Sequence, residues 1–167
     1  MLSWLKEHRP LEFPQDMKES WPELKHVSIF TVFHTCASVD IAKKICAQGF
    51  APLCIRDPGV FGHGNYFSMD MHYSASTYGD VEAGCATVIV CDVVLGNVYP
   101  VIEDPDEACS SLKGKPGVGN YDSYFVSVHQ GPRPCRPNST EQTVYSELVV
   151  FEAIQVLPRC ILQIRRK

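Results

Sequence analysis

Ten consecutive residues, Cys85–Val94 (Cys-Ala-Thr-Val-Ile-Val-Cys-Asp-Val-Val), restrict the possible folds of this chain more than any other stretch. Most of them are β-branched, which favours extended backbone, and the apolar run is near-continuous rather than alternating. That is the pattern of a central strand, covered on both faces and paired on both sides. The chain supplies the neighbours. Residues 28–34, 66–68, 121–128, 144–151 and 160–164 read as further strands, the first ending at His34, and Val98–Val101 resumes an extended run after a turn at Gly96-Asn97. A turn near Leu157-Pro158 would precede the last strand.

Helical signals are fewer. Residues 39–49 carry apolar positions at helical spacing (Ile41, Ile45 and the Ala42/Cys46 pair), with Ser38 as N-cap and Gly49 as the residue past the end. A second helix is expected over 69–78 and a short one over 16–24, interrupted at Pro22. Segments 51–60, 103–119 and 130–140 read as loops. Helices early and strands late, with no repeat at fixed spacing, give an α+β fold with mainly antiparallel sheet and no βαβ series. The expected organisation is a lead-in over 1–27 and one domain over 28–167.

Composition excludes several classes. The chain has 167 residues, 45% of them hydrophobic and 20% charged. That is enough to bury a core without staples. A formal charge of −4 offers no general attraction to nucleic acid or to an anionic membrane. No apolar run approaches a membrane span, and no signal peptide opens the chain. Of the eight cysteines, no pair has Cys-x-x-Cys spacing, so no structural zinc is expected. Cys46 and Cys91 fall inside apolar patterns, where free cysteine acts as a small hydrophobe. Free thiols in an intracellular setting, cytoplasmic or nuclear, follow as the expectation.

Three motifs carry the chemistry. Gly59-Val60-Phe61-Gly62-His63-Gly64-Asn65-Tyr66-Phe67-Ser68 places glycines, which admit close approach, directly before aromatics. Tyr73 and Tyr78 follow. Glycine beside clustered tyrosines suits a flat, partly polar ligand, although a hairpin turn running into a core strand explains the same residues. Phe33-His34-Thr35-Cys36 puts a histidine at the end of a buried strand. Ser146-Glu147-Leu148-Val149-Val150-Phe151 places a carboxylate at the head of an apolar one, where it needs a partner or a task unless it faces solvent, as Glu152 would.

In this order the motifs resemble the catalytic domain of the poly(ADP-ribose) polymerase family, diphtheria-toxin-like ADP-ribosyltransferases, from about residue 32 to about residue 164. Phe33-His34-Thr35 is similar to the family's His-Gly-Ser/Thr. The run from Phe61 to Ser68 is similar to Phe-Gly-x-Gly-Ile-Tyr-Phe-Ala/Ser. Ser146–Phe151 with Gln155-Val156-Leu157-Pro158-Arg159 resembles Asn/Ser-Glu-Tyr-Val-Val-Tyr and Gln-Val-Leu-Pro-Arg-Tyr.

The resemblance implies a split antiparallel β-sandwich with a few helices. It also implies an NAD⁺-dependent glycosyl transfer that releases nicotinamide, with NAD⁺ as co-substrate and no metal. His34 would bond the ribose next to nicotinamide, Tyr66 and Tyr78 would sandwich the ring, and Ser74 would meet its carboxamide. Glu147 would hold a donor hydroxyl and steady the charge developing at the anomeric carbon. Thr35 stands where the family has glycine; its backbone would still reach the carboxamide, while its branched side chain fills space beside the ligand.

Short loops favour single ADP-ribose units on a protein acceptor, the chain itself included; separately, no DNA requirement and no membrane are expected. The alternatives are an inactive relative that binds ADP-ribose, nucleic acid or a protein, and NAD⁺ hydrolysis without an acceptor. A Rossmann oxidoreductase is set aside because Gly59, Gly62 and Gly64 have the wrong spacing. A Cys–His hydrolase on Cys36 or Cys135 has no local signature.

Overall fold

The computed structural model describes residues 15–20, 27–50, 59–80, 84–101, 112–129 and 144–165. A short helix α1 (Gln15–Ser20) precedes β1 (Ile29–Cys36), α2 (Val39–Gln48), β2 (Asn65–Ser68), α3 (Met71–Tyr78) and β3 (Cys85–Val94). Then come β4 (Val98–Val101), β5 (Ser123–Val128), β6 (Tyr145–Val150), a 3₁₀ turn over Ala153–Gln155 and β7 (Val156–Arg165). Of the expected loops 51–60, 103–119 and 130–140, residues 51–58, 103–111 and 130–140 lie outside the described residues, as do Pro22 and the end of the predicted first helix.

The strands form a seven-stranded sheet in the order β4-β5-β6-β2-β1-β3-β7. As its composition requires, β3 lies inside the sheet, paired along its length with β1 and β7. All pairs are antiparallel except the outermost, β4 with β5, which is parallel. β1 and β2 share a single register pair, Phe33 with Ser68. The sheet therefore consists of two halves joined at one point, the split arrangement expected.

Side-chain alternation divides the interior in two. Phe30, Val32, Phe67, Ile89, Leu148 and Val150 belong to a core that includes Ala42 of α2. Phe61, Val126, Val128 and Val149 belong to a second core that includes Tyr73 of α3. Leu148 and Val150 on one side, with Val149 on the other, are the period of two made visible.

Several local expectations change. β1 runs two residues past His34 to Cys36, because its pairing with β3 continues to Cys36 and Thr87. α2 is capped as expected: the Ser38 hydroxyl accepts the Ile41 N–H at 3.3 Å, and the Gly49 N–H reaches the Ile45 carbonyl. Its buried face is narrower than the pattern implied, since Ile41 and Cys46 are exposed and Ala42 alone is fully buried. The second predicted helix starts at Met71 rather than 69, because the Asp70 carboxylate caps the Tyr73 N–H at 2.7 Å.

No turn forms at Leu157-Pro158. The turn is the 3₁₀ segment before it, and β7 runs through the proline. Pro158 is tolerated because β7 is an edge strand and bulges there: Val90 pairs with Cys160 and Cys91 with Pro158. The skipped Arg159 turns its guanidinium to Asp92, which also accepts the Thr31 hydroxyl.

Candidate functional site

The single pair between β1 and β2 lies in a row across four strands: Phe33 of β1, Ser68 of β2, Glu147 of β6 and Val126 of β5. This row places His34 and Thr35, next in β1, beside the point where the two half-sheets part. Glu147 lies two strands away.

Glu147 is the third residue of β6, not its opening residue, and is 1% exposed. Its Oε1 accepts a hydrogen bond from the Tyr73 hydroxyl at 2.7 Å and a short one from the Tyr78 hydroxyl. Its Oε2 is buried and has no hydrogen-bond partner. Burial raises the pKa of the Glu147 carboxyl, and the two phenol bonds, Tyr78 then Tyr73, only partly offset that. Both phenols are themselves pushed up, first by burial and then by the charge of Glu147, so they remain neutral donors. Glu152, by contrast, is exposed and caps the 3₁₀ turn, so only one of the two acids faces solvent.

His34 packs with Phe50, edge-on at 5.0 Å, and with Phe67 at 5.6 Å. Its Nδ1 lies 2.8 Å from the Tyr66 carbonyl oxygen. A carbonyl can only accept, so Nδ1 carries the proton and Nε2 of the neutral ring is left as an acceptor. Burial lowers the pKa of this imidazole, with the bond to Tyr66 opposing, and so favours that neutral form.

Thr35 points to the α3 side, where its hydroxyl is 2.8 Å from the Ser74 hydroxyl. Ser74 in turn reaches the Phe33 carbonyl at 3.4 Å. The predicted carboxamide partner is thus joined directly to the residue that replaces the expected glycine.

The phenol of Tyr66 ties the glycine turn together. Its hydroxyl accepts the Phe61 N–H and donates to the Gly62 carbonyl, both at 2.9 Å. A Cβ on Gly59, whose φ is +61°, would fall 2.2 Å from the Gly62 oxygen and 2.5 Å from that hydroxyl. Only glycine satisfies both the conformation and the space. Segment 112–119 braces the turn from outside, with the His63 N–H donating to the Lys115 carbonyl at 2.8 Å.

The structure therefore brings together Glu147 with Tyr78, Thr35 with Ser74, and His34 with the backbone of Tyr66. It does not hydrogen-bond His34 to Glu147, and the Tyr66 ring lies against Phe61 in the second core. In the sequence Tyr73 is only one of several clustered tyrosines. Nothing in its spacing distinguishes it, because its role depends on a strand far along the chain.

Cys36, Cys46, Cys85, Cys91 and Cys160 are free thiols. Burial pushes Cys36 up to about 11 and Cys91 to about 12, which removes thiolate chemistry from both. Cys135 lies outside the described residues. No group of three or more metal-ligating side chains occurs among the described residues, and no helix there is long and apolar enough to cross a membrane. A concavity lined by His72, Ala75, Ser76, Asp80, Cys85 and Ile164 lies on a different face of α3 from Tyr73, Ser74 and Tyr78.

The family model of the poly(ADP-ribose) polymerase catalytic domain matches residues 30–166, which include every site residue described above. A comparison with individually curated proteins returns no match.

Proposed function

This chain belongs to the poly(ADP-ribose) polymerase catalytic-domain family, and from that premise we propose that it transfers single ADP-ribose units from NAD⁺ to a protein acceptor, itself included. The observation that carries the reading is the Glu147 carboxylate: buried, held through one oxygen, and with the other unpartnered. A buried carboxylate oxygen without a donor is costly, and a hydroxyl of the donor ribose would satisfy it. The residues present fit the co-substrate in other respects. Nε2 of neutral His34 is an acceptor for a second ribose hydroxyl. The Ser74 oxygen keeps acceptor capacity for a carboxamide N–H, and the exposed ring of Tyr78 is available for stacking.

In the proposed reaction the bond between the anomeric carbon and the nicotinamide nitrogen breaks, and its electron pair stays with nicotinamide. A lone pair of the acceptor forms the new bond to that carbon, and the acceptor's proton passes to solvent. The fixed negative charge of Glu147 lowers the barrier because positive charge grows on the anomeric carbon as the leaving group departs.

The alternative, a module that binds without transfer, draws on Thr35, whose side chain occupies the space beside Ser74. One experiment separates them. The purified protein is incubated with NAD⁺ and assayed by mass spectrometry for free nicotinamide and for ADP-ribose on protein. Glu147→Gln is run in parallel, and binding of a nicotinamide mimic is measured for both. Release and modification that fall at least a hundredfold in the variant, with mimic binding kept, support transfer. Binding without release by the native protein supports the alternative.

A further inference from the structure

We infer that Tyr73 is a positioning residue for Glu147: it holds Oε1 permanently, so that the carboxylate presents Oε2 to the substrate while Tyr78 is free to exchange that bond for ligand contacts. The inference rests on the proposed transferase reading and adds a division of labour between the two tyrosines.

A carboxylate has two oxygens and about four acceptor sites. In a merely structural buried acid, donors would be expected on both oxygens. Here both donors converge on Oε1, and Oε2 has none. Such asymmetry sets the rotation of the carboxyl group and leaves one oxygen for use.

The two donors differ in mobility. Tyr73 lies in the first turn of α3, its N–H capped by Asp70, and is 1% exposed. Its ring stacks on Tyr145 of β6 at 4.7 Å and 24°, and meets Tyr78 edge-on at 6.4 Å. Any rotation would break this stack and open a void in the second core, to which Tyr73 belongs. Tyr78 is the last residue of its helix, precedes Gly79, and is 43% exposed. It can turn toward an arriving ring without disturbing the core. The expected stacking role of Tyr78 and its observed bond to Glu147 are thus compatible, provided that Tyr73 keeps the carboxylate in place.

Among the described residues, the titratable groups facing Glu147 are the phenols of Tyr73 and Tyr78 from α3, with Tyr145 beyond Tyr73 on its own strand. Its register partners on β2 and β5 are Ser68 and Val126, neither of which titrates. Loss of the Tyr73 donor should therefore raise the proton affinity of Glu147.

The test titrates the Glu147 carboxyl carbon by NMR in protein labelled with ¹³C-glutamate, the resonance being identified by its loss in Glu147→Gln. In Tyr73→Phe, which keeps the stacked ring, the Glu147 pKa is expected to rise by about one unit, a tenfold gain in proton affinity. kcat for nicotinamide release should fall about tenfold or more with KM for NAD⁺ nearly unchanged, and the acid limb of the pH–kcat profile should move upward. Tyr145→Phe, which retains the stack, should leave the Glu147 titration where it was.

If Tyr73→Phe does not fold, 3-fluorotyrosine at position 73 decides, since a more acidic phenol donates more strongly and should lower the Glu147 pKa. An unmoved Glu147 titration in whichever protein folds overturns the inference. A native protein that releases no nicotinamide, but whose Glu147 titration moves as expected, refutes the transferase reading and leaves the positioning role intact. Active native protein with an unmoved titration and native kcat in Tyr73→Phe does the reverse.

Discussion

Glu147 is an acid buried inside the sheet, and its stability signature follows from the direction of its pKa shift. Its folded pKa is raised above the ordinary carboxyl value of 4.5. Across the window between those two values the folded state binds more protons than the unfolded chain, so stability is lost as pH rises through it. Glu147→Gln removes the titration. The difference in Tm, variant minus native, should therefore grow as pH is raised from about 4 to about 7, as measured by thermal melts in matched buffers. A flat difference would show that Glu147 ionises as it does in water. His34 has the opposite sign: its pKa is lowered from 6.5, so its contribution is present above that value and lost as pH falls through the folded pKa. Both proteins carry His34, so it cancels. Glu147 was legible as an acid in an apolar strand, but Tyr73 was not, because its partner is 74 residues away.

At the scale of elements, local chemistry predicted type well and boundaries less well. α2 has the caps that its sequence announces, and β3 has the bounds that its β-branched run implies. The failures in the strands came from tertiary pairing. Strand β1 extends because β3 continues beside it, and β7 crosses Pro158 because the edge position and a bulge remove the need for that N–H. The entry to β2 is governed by close approach. A Cβ on Gly64 would sit 2.5 Å from Val149 Cγ1 and 3.0 Å from the Val150 carbonyl oxygen. Val149 is fully buried and β-branched, so it cannot move aside cheaply. Gly64→Ala should destabilise by about 1–3 kcal/mol, lowering Tm by roughly 3–10 °C. An unchanged Tm would mean that the turn can stand off β6 without loss.

At the scale of the molecule, the two half-sheets meet at Phe33 and Ser68, and the site residues gather around that junction. This geometry has a dynamic consequence, because a junction held by one register pair opens more readily than a long ladder. Native-state hydrogen exchange should show the slowest amides in β3, which is paired on both sides. Amides of β2 at Phe67 and Ser68 should exchange faster, although both residues are buried. Equal protection along β2 and β3 would show that the two halves open as one unit.

The sequence by itself determined the α+β class, the central strand, the capped helix and the family resemblance, because each depends on short local patterns and on their order along the chain. The tertiary structure decided how the acid is held. Two phenols from one helix, one oxygen of a carboxylate on a strand, and a threonine hydroxyl on the predicted serine meet only after the halves of the sheet have paired. No periodicity encodes a contact between residues so far apart, so the orientation of Glu147 becomes visible only in the folded chain.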